Sequence, residues 1–136
     1  MEFDTKIKLV VLDSLEAWQK LNVVAFLMSG IGGADGVLGK PYQDKDGVEY
    51  LSMSKQPVMI HTTANVEEIR DLMKKALTKE VVQAVYTREL FATMNDDDNR
   101  AAVARFGTDE LDLVGLAVYG KKNHVDKLFK GLPLHK

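Results

Sequence analysis

The fold is decided by residues 6–30, KIKLVVLDSLEAWQKLNVVAFLMSG, in which an apolar run passes directly into a helical pattern. The run Lys6–Leu12 is almost continuously apolar, which predicts a central strand that is covered on both faces. Asp13 and Glu16 have the spacing of a capping box, so we predict a helix that begins there and ends at Gly30. Ligands of open α/β sheets bind beyond the carboxyl ends of strands, and we therefore expect a site at this junction.

Strands and helices alternate along the rest of the chain. We predict further strands over Pro57–Thr63, Val81–Tyr86 and Leu113–Tyr119, and further helices over Val66–Leu77, from Asn95 or Asp96 to Gly107, and over His124–Lys130. This alternation favours a single domain over residues 1–136, built as three α/β/α layers. We expect its sheet to be mixed, mainly parallel and about four strands wide.

Two loop segments each allow two interpretations. The glycine-rich segment Ser29–Gly39 is either a flexible connector or a phosphate-binding loop. The connector is favoured, because phosphate loops follow a strand and open a helix. The segment Asp44–Gly47, DKDG, is either the turn of a hairpin over Tyr42–Tyr50 or the start of a calcium loop. The hairpin is favoured, because no later glutamate stands at the position that a calcium loop requires.

Composition and charge exclude several classes of function. The 136 residues are 46% hydrophobic and carry a formal net charge of −2, so no overall positive field would attract nucleic acid or an anionic membrane. The chain has no cysteine, which excludes disulfides, a thiolate nucleophile and cysteine ligands for zinc. Because no signal peptide, membrane-spanning run or cofactor motif is recognisable, we expect a soluble cytoplasmic protein without a resident cofactor.

The opening turns of the first predicted helix carry four candidate site residues, Trp18, Gln19, Lys20 and Asn22. Lys20 lies near the positive end of the helix dipole, where a lysine gains no stability, so we consider it a catalytic or anchoring group for a carbonyl or phosphate oxygen. The alternative is an ion pair with Glu16. Asn22 lies in the apolar run Leu21–Met28, which we expect to be buried on most sides, and its amide then bonds loop backbone or a ligand.

Other candidate residues lie further along the chain. His61 is placed towards the carboxyl end of a strand, where it is either a catalytic general base or a hydrogen-bonded core residue. His124 and His135 are expected at the surface. The segment TMNDDDNR supplies four candidate ligand contacts, Thr93, Asn95, Asn99 and Arg100. Its aspartates fit the first turn of a helix better than a magnesium site, and no metal site is predicted. If the first three long strands are parallel, both polar segments meet at one edge of the sheet.

Four segments together resemble the domain of unknown function 2000 family. They are WQKLNVVAFL at Trp18–Leu27, GKPYQDKDGVEY at Gly39–Tyr50, ELFATMNDDDNR at Glu89–Arg100 and DLVGLAVYGKKNHVDKLFKGLPLH at Asp112–His135. That family in turn resembles the type II peptidyl-tRNA hydrolases, most clearly over Leu113–Leu134. The resemblance implies a peptidyl-tRNA hydrolase II-like mixed α/β fold with an added hairpin, and it places Lys20 where those enzymes carry a functional lysine. The glycines that flank the hydrolase lysine are replaced here by Gln19 and Leu21.

Three functions are compatible with these patterns. The first is a protein, enzymatic or not, that binds a small ligand at the rim of the sheet beside the first helix. The second is a peptidyl-tRNA hydrolase or a tRNA-binding relative, in which Lys20 anchors the substrate or stabilises an oxyanion and the lysines of Lys121–Lys136 contact phosphate. The third is a structural or interaction module without a ligand. The resemblance to the hydrolases also implies a homodimer.

Overall fold

The computed structural model describes residues 2–136, which form six strands and four α-helices. The strands are β1 (Thr5–Leu12), β2 (Tyr42–Gln43), β3 (Glu49–Tyr50), β4 (Val58–Thr63), β5 (Val81–Thr87) and β6 (Leu113–Lys121). The helices are α1 (Ala17–Gly32), α2 (Val66–Ala76), α3 (Asp96–Ala104) and α4 (Lys122–Leu128), with short 3-10 turns at Arg88–Ala92 and Thr108–Glu110. Each long strand predicted from the sequence is present, with ends that shift by at most two residues.

The central sheet has the strand order β4-β1-β6-β5. Among the described strands of this sheet, β1 and β4 are parallel, whereas β6 is antiparallel to both β1 and β5. The sheet is therefore mixed, as predicted, but the expectation that it is mainly parallel is wrong. The reason lies in the connection from β5 to β6, because α3 packs on the preceding 3-10 turn and does not cross the sheet. As β1, β4 and β5 still point the same way, their carboxyl ends share one edge.

Helices cover both faces of the sheet, which gives the three predicted layers. α1 packs on one face, while α2 and α4 pack on the other and touch each other. β1 is buried from Ile7 to Leu12 because it is covered on both faces. On the α1 side, Gly115 lets the helix lie close, since a Cβ there would overlap Val23 and would lie 3.2 Å from Leu27 Cδ1.

The first helix differs from its prediction at both ends and around its circumference. It begins at Ala17, because the capping contact joins Glu16 and Gln19 instead of Asp13 and Glu16. It continues past Gly30 to Gly32. The expectation of burial on most sides is also wrong: α1 is an outer layer, and Leu21 on its free surface is 72% exposed.

Two smaller features decorate the sheet. The predicted hairpin is present as β2 and β3, and its turn is held by Asp44, whose Oδ1 accepts the backbone N–H groups of Asp46 and Val48. Residues 132–135, which we name the C-terminal strap, run along the outer edge of β4. Thr62 N–H donates to the Pro133 carbonyl oxygen at 2.9 Å, and His135 N–H donates to the Ile60 carbonyl oxygen at 2.8 Å.

Within residues 2–136, no helix combines the length and the apolar character needed to cross a membrane.

Candidate functional site

Two clefts flank α1, one on each side. The aromatic cleft, between α1 and the segment after β5, has a volume of about 540 Å³ and is lined by Trp18, Asn22, Phe26, Ser29, Tyr86, Leu90, Phe91, Thr93, Met94, Asn95, Asp96 and Asn99. The edge cleft, between α1, β4 and the C-terminal strap, has a volume of about 590 Å³ and is lined by Val11, Lys20, Leu21, Val24, Ala25, Val58, Met59, Ile60, Leu134 and His135. Both volumes fall in the range of roughly 300–1,000 Å³ that is usual for small-molecule sites.

The structure divides the predicted site between these clefts. Trp18, Asn22, Thr93, Asn95 and Asn99 line the aromatic cleft together, as the shared edge of β1 and β5 predicts. Lys20 lines the edge cleft instead. Two positions along an α-helix correspond to a rotation of about 200° about its axis, so the side chains of Lys20 and Asn22 point in nearly opposite directions and cannot line one small pocket. The expectation that all the candidate residues meet in one site is therefore wrong.

The polar part of the aromatic cleft centres on Asn22. Its amide oxygen accepts a hydrogen bond from the Tyr86 hydroxyl at 2.8 Å, which fixes the orientation of the amide. Tyr86 is 3% exposed, and burial raises the pKa of its phenol, so the hydroxyl stays a donor at neutral pH. Opposite them, the Thr93 hydroxyl contacts the Asn99 amide oxygen, and the Asn95 side chain caps α3 by accepting from Asp98 N–H at 2.8 Å.

An aromatic chain forms the apolar part of the same cleft. The ring of Tyr86 lies 5.0 Å from that of Phe91 and 6.1 Å from that of Phe26, measured between ring centroids. Trp18 meets Phe91 edge to face at 5.7 Å, and its indole N–H donates to the Glu16 carboxylate at 2.7 Å. Trp18 is nevertheless 57% exposed, which leaves much of its ring free to contact a bound molecule.

Two predicted ligand contacts line neither cleft. The Gln19 side chain is engaged at the start of α1, where its amide oxygen accepts the Glu16 backbone N–H at 2.9 Å. Arg100 pairs with Asp96 at 2.6 Å and with Asp97 at 3.4 Å on the exposed surface of α3. These aspartates thus lie in the first turn of a helix, where the dipole favours them. Among residues 2–136, no three histidine or acidic side chains are grouped so that they could hold a metal ion.

His61 lies on the sheet face opposite α1. Its neighbour Ile60 faces the edge cleft, and because side chains alternate along a strand, His61 faces α4 and lies 5.3 Å from the Phe129 ring. Nδ1 is 2.9 Å from the Leu132 carbonyl oxygen, while the buried Nε2 has no hydrogen-bond partner within the described residues. Burial lowers the pKa of the imidazole, so His61 is neutral at pH 7. This geometry favours a hydrogen-bonded core residue over a catalytic general base. It also places His61 outside the cleft that Lys20 lines.

The polar end of the edge cleft is formed by Lys20 and His135. Lys20 Nζ lies 3.3 Å from His135 Nε2. The alternative ion pair with Glu16 is not formed, and among residues 2–136 no carboxylate oxygen lies within 4.0 Å of Lys20 Nζ. Sequence reasoning placed His135 at the surface, where it is, but missed this contact, which depends on the strap pairing with β4.

Fold and clefts define a three-layer α/β protein with a four-stranded mixed sheet and a cleft on either side of its first helix. A family model described as protein of unknown function (DUF2000) matches residues 5–136, and the chain belongs to this family. The protein of unknown function Atu0240 from Agrobacterium tumefaciens strain C58 has a similar solved structure: it is 40% identical, with a TM-score of 0.91 over 99% of this chain and 100% of that chain. No curated protein matches the sequence. The family membership predicted from four segments is thus confirmed.

Proposed function

We propose that this protein binds an uncharged, ring-bearing small molecule in the aromatic cleft. The observation that carries the proposal is the position of the Asn22 amide, whose oxygen accepts a hydrogen bond from Tyr86. The amide lines the same cleft as four aromatic side chains, those of Trp18, Phe26, Tyr86 and Phe91. Within the described residues, the Asn22 Nδ2 group donates no hydrogen bond, although the cleft exposes it to solvent. A ligand oxygen or ring nitrogen could accept from this group while its ring packs on Trp18 or Phe91.

The charge of the cleft supports an uncharged ligand. Of the described residues that line it, Asp96 alone is charged at neutral pH, and no lysine, arginine or histidine is among them. The N-terminus of α3 offers no spare anion site, because Asn95 caps it and three aspartates occupy its first turn. Phosphate or carboxylate groups would therefore find no cationic partner among the described lining residues. Uncharged molecules with a flat nitrogen heterocycle, such as free nucleobases, nucleosides or nicotinamide, have the chemistry that fits.

The test uses Trp18, which is the sole tryptophan of the sequence and lines the cleft. We expect titration with adenosine or nicotinamide to change its fluorescence and raise the melting temperature, while adenosine monophosphate has a weaker effect. Asn22→Ala should weaken binding about fivefold, since one hydrogen bond in a cleft is worth roughly 1 kcal/mol. Asn123→Ala, on the exposed surface of α4, is the matched control. Equal affinities of Asn22→Ala and the parent would contradict the proposal. So would the absence of any change in fluorescence or melting temperature with every uncharged ring compound at millimolar concentration.

A peptidyl-tRNA hydrolase or tRNA-binding relative with the type II hydrolase fold is a second candidate. Its support is the resemblance over Leu113–Leu134 and the position of Lys20, whose ammonium group could stabilise an oxyanion beside His135. Phosphate contacts would come from the lysines of Lys121–Lys136, so affinity for tRNA should fall steeply with salt. A filter assay that detects no tRNA at low salt would rule this candidate out. The homodimer that the same resemblance implies can be measured by sedimentation velocity.

A further inference from the structure

We propose that the edge cleft is a second binding site, which takes a monocarboxylate with an apolar chain. The carboxylate would lie on Lys20 and His135, and the chain would lie along the apolar floor. This site is separate from the aromatic cleft, because α1 stands between them. The inference therefore does not depend on the proposed function.

Within the described residues, no carboxylate neutralises the charge of Lys20. Its ammonium group touches the imidazole of His135 at 3.3 Å and meets no carboxylate within the described chain. The Glu16 carboxylate, one turn earlier, accepts the indole N–H of Trp18 instead. No acidic residue is among the described lining residues of the edge cleft. An anion placed here would gain a charge-assisted hydrogen bond without displacing an existing ion pair.

The remaining walls of the edge cleft are mostly apolar. They are formed mainly by aliphatic side chains, among them Leu21, Val24, Val58, Ile60 and Leu134. Leu21 and Leu134 are 72% and 51% exposed, so a chain laid between them would cover surface that now faces water. A polar metabolite would leave these walls unmatched, and an apolar molecule without a charge would leave the ammonium group uncompensated. A carboxylate with an apolar chain satisfies both.

The C-terminal strap excludes an extended peptide as the occupant along this part of the edge. A peptide that adds to a sheet needs free backbone groups on the outer strand. The outward backbone groups of Ile60 and Thr62 are already bonded to the C-terminal strap. The strap also supplies Leu134 and His135 to the cleft, so the protein's own chain closes the edge and completes the site.

Calorimetric titration of the full chain with hexanoate, octanoate and decanoate tests the inference. Affinity should rise by up to about fourfold for each added CH₂ group that is buried. Octanol and octylamine have the same number of carbon atoms without the negative charge and should bind at least tenfold more weakly than octanoate. Binding of octanol as tight as that of octanoate, or no binding of any carboxylate, would overturn the proposal.

Two substitutions link the binding to the cleft. Lys20→Met keeps a long apolar side chain in the helix and removes the charge, so octanoate affinity should fall at least tenfold. Lys45→Met, in the exposed turn of the hairpin, is the control and should leave the affinity unchanged. Ala25→Leu would fill the cleft from an exposed helical position and should weaken all three carboxylates together. Unchanged affinity in both Lys20→Met and Ala25→Leu would place any binding elsewhere and overturn the assignment.

Discussion

The hydrogen bond between Tyr86 and Asn22 joins α1 to the end of β5, and a double-mutant cycle can measure its contribution to stability. The perturbations are Tyr86→Phe, which removes the hydroxyl, and Asn22→Ala, which removes the amide. Tyr86 is 3% exposed and its hydroxyl lies 2.8 Å from the amide oxygen. Asn22 is half-buried and faces the cleft, so water can replace part of what its amide loses.

The magnitudes follow from these burials. Tyr86→Phe loses one neutral hydrogen bond, and we expect the free energy of unfolding to fall by about 1 kcal/mol. Asn22→Ala leaves a buried hydroxyl without its partner, at a cost of roughly 1–3 kcal/mol, from which the better helix propensity of alanine subtracts about 0.5 kcal/mol. The double variant leaves no unpaired group. It should therefore lose about 1 kcal/mol less than the sum of the two single variants.

Urea unfolding at 25 °C with a common m-value provides the assay. Tyr119→Phe is the matched control, because its hydroxyl contacts the Asp35 carbonyl oxygen at 3.3 Å, on another part of the sheet. Combined with Asn22→Ala, it should be additive to within about 0.5 kcal/mol. If Tyr86→Phe and Asn22→Ala are also additive, the hydrogen bond contributes nothing, and the argument that Tyr86 orients the amide fails.

Two further predictions concern the core. Gly115→Ala should destabilise the protein by about 1–3 kcal/mol in urea unfolding, because the added methyl group overlaps Val23 and crowds Leu27; a neutral result would mean that α1 can move away freely. Burial, and to a smaller extent the charge of Lys8, lower the pKa of His61 below 6.5. Just below that pH the unfolded chain therefore binds more protons than the folded protein. The contribution of neutral His61 to the free energy of unfolding should be fully present above pH 6.5 and should decline as the pH falls towards the pKa of His61 in the folded protein. His61→Gln should flatten this decline, and parallel urea midpoints for parent and variant from pH 7.5 to 5 would refute it.

The first strand and helix were predictable because their signals are local. Ile7 to Leu12 form an unbroken apolar run, and such a run requires cover on both faces, which it has. The order of the sheet was not predictable in the same way. The segment between β5 and β6 contains a helical pattern that looks like a crossover, but Ala102 is the one residue of α3 that is buried. Because the apolar face of α3 is weak, the sequence already indicates that this helix does not cover the sheet.

The candidate site was half predictable. The gathering of Asn22 with Thr93 and Asn99 follows from strand direction, since both polar segments come after strands that point the same way. The separation of Lys20 from Asn22 could also have been derived, because residues two apart on a helix do not share a face. The contact between Lys20 and His135 could not, because it joins residues 115 positions apart through the pairing of the strap with β4.

The C-terminal strap has a consequence for the handling of the protein. It occupies the backbone groups of Ile60 and Thr62 that would otherwise make β4 an open template for other chains. Proteolytic loss of residues 132–136 would leave the edge of β4 unpaired and would also remove one wall of the edge cleft beside Lys20. Clipped preparations should therefore aggregate.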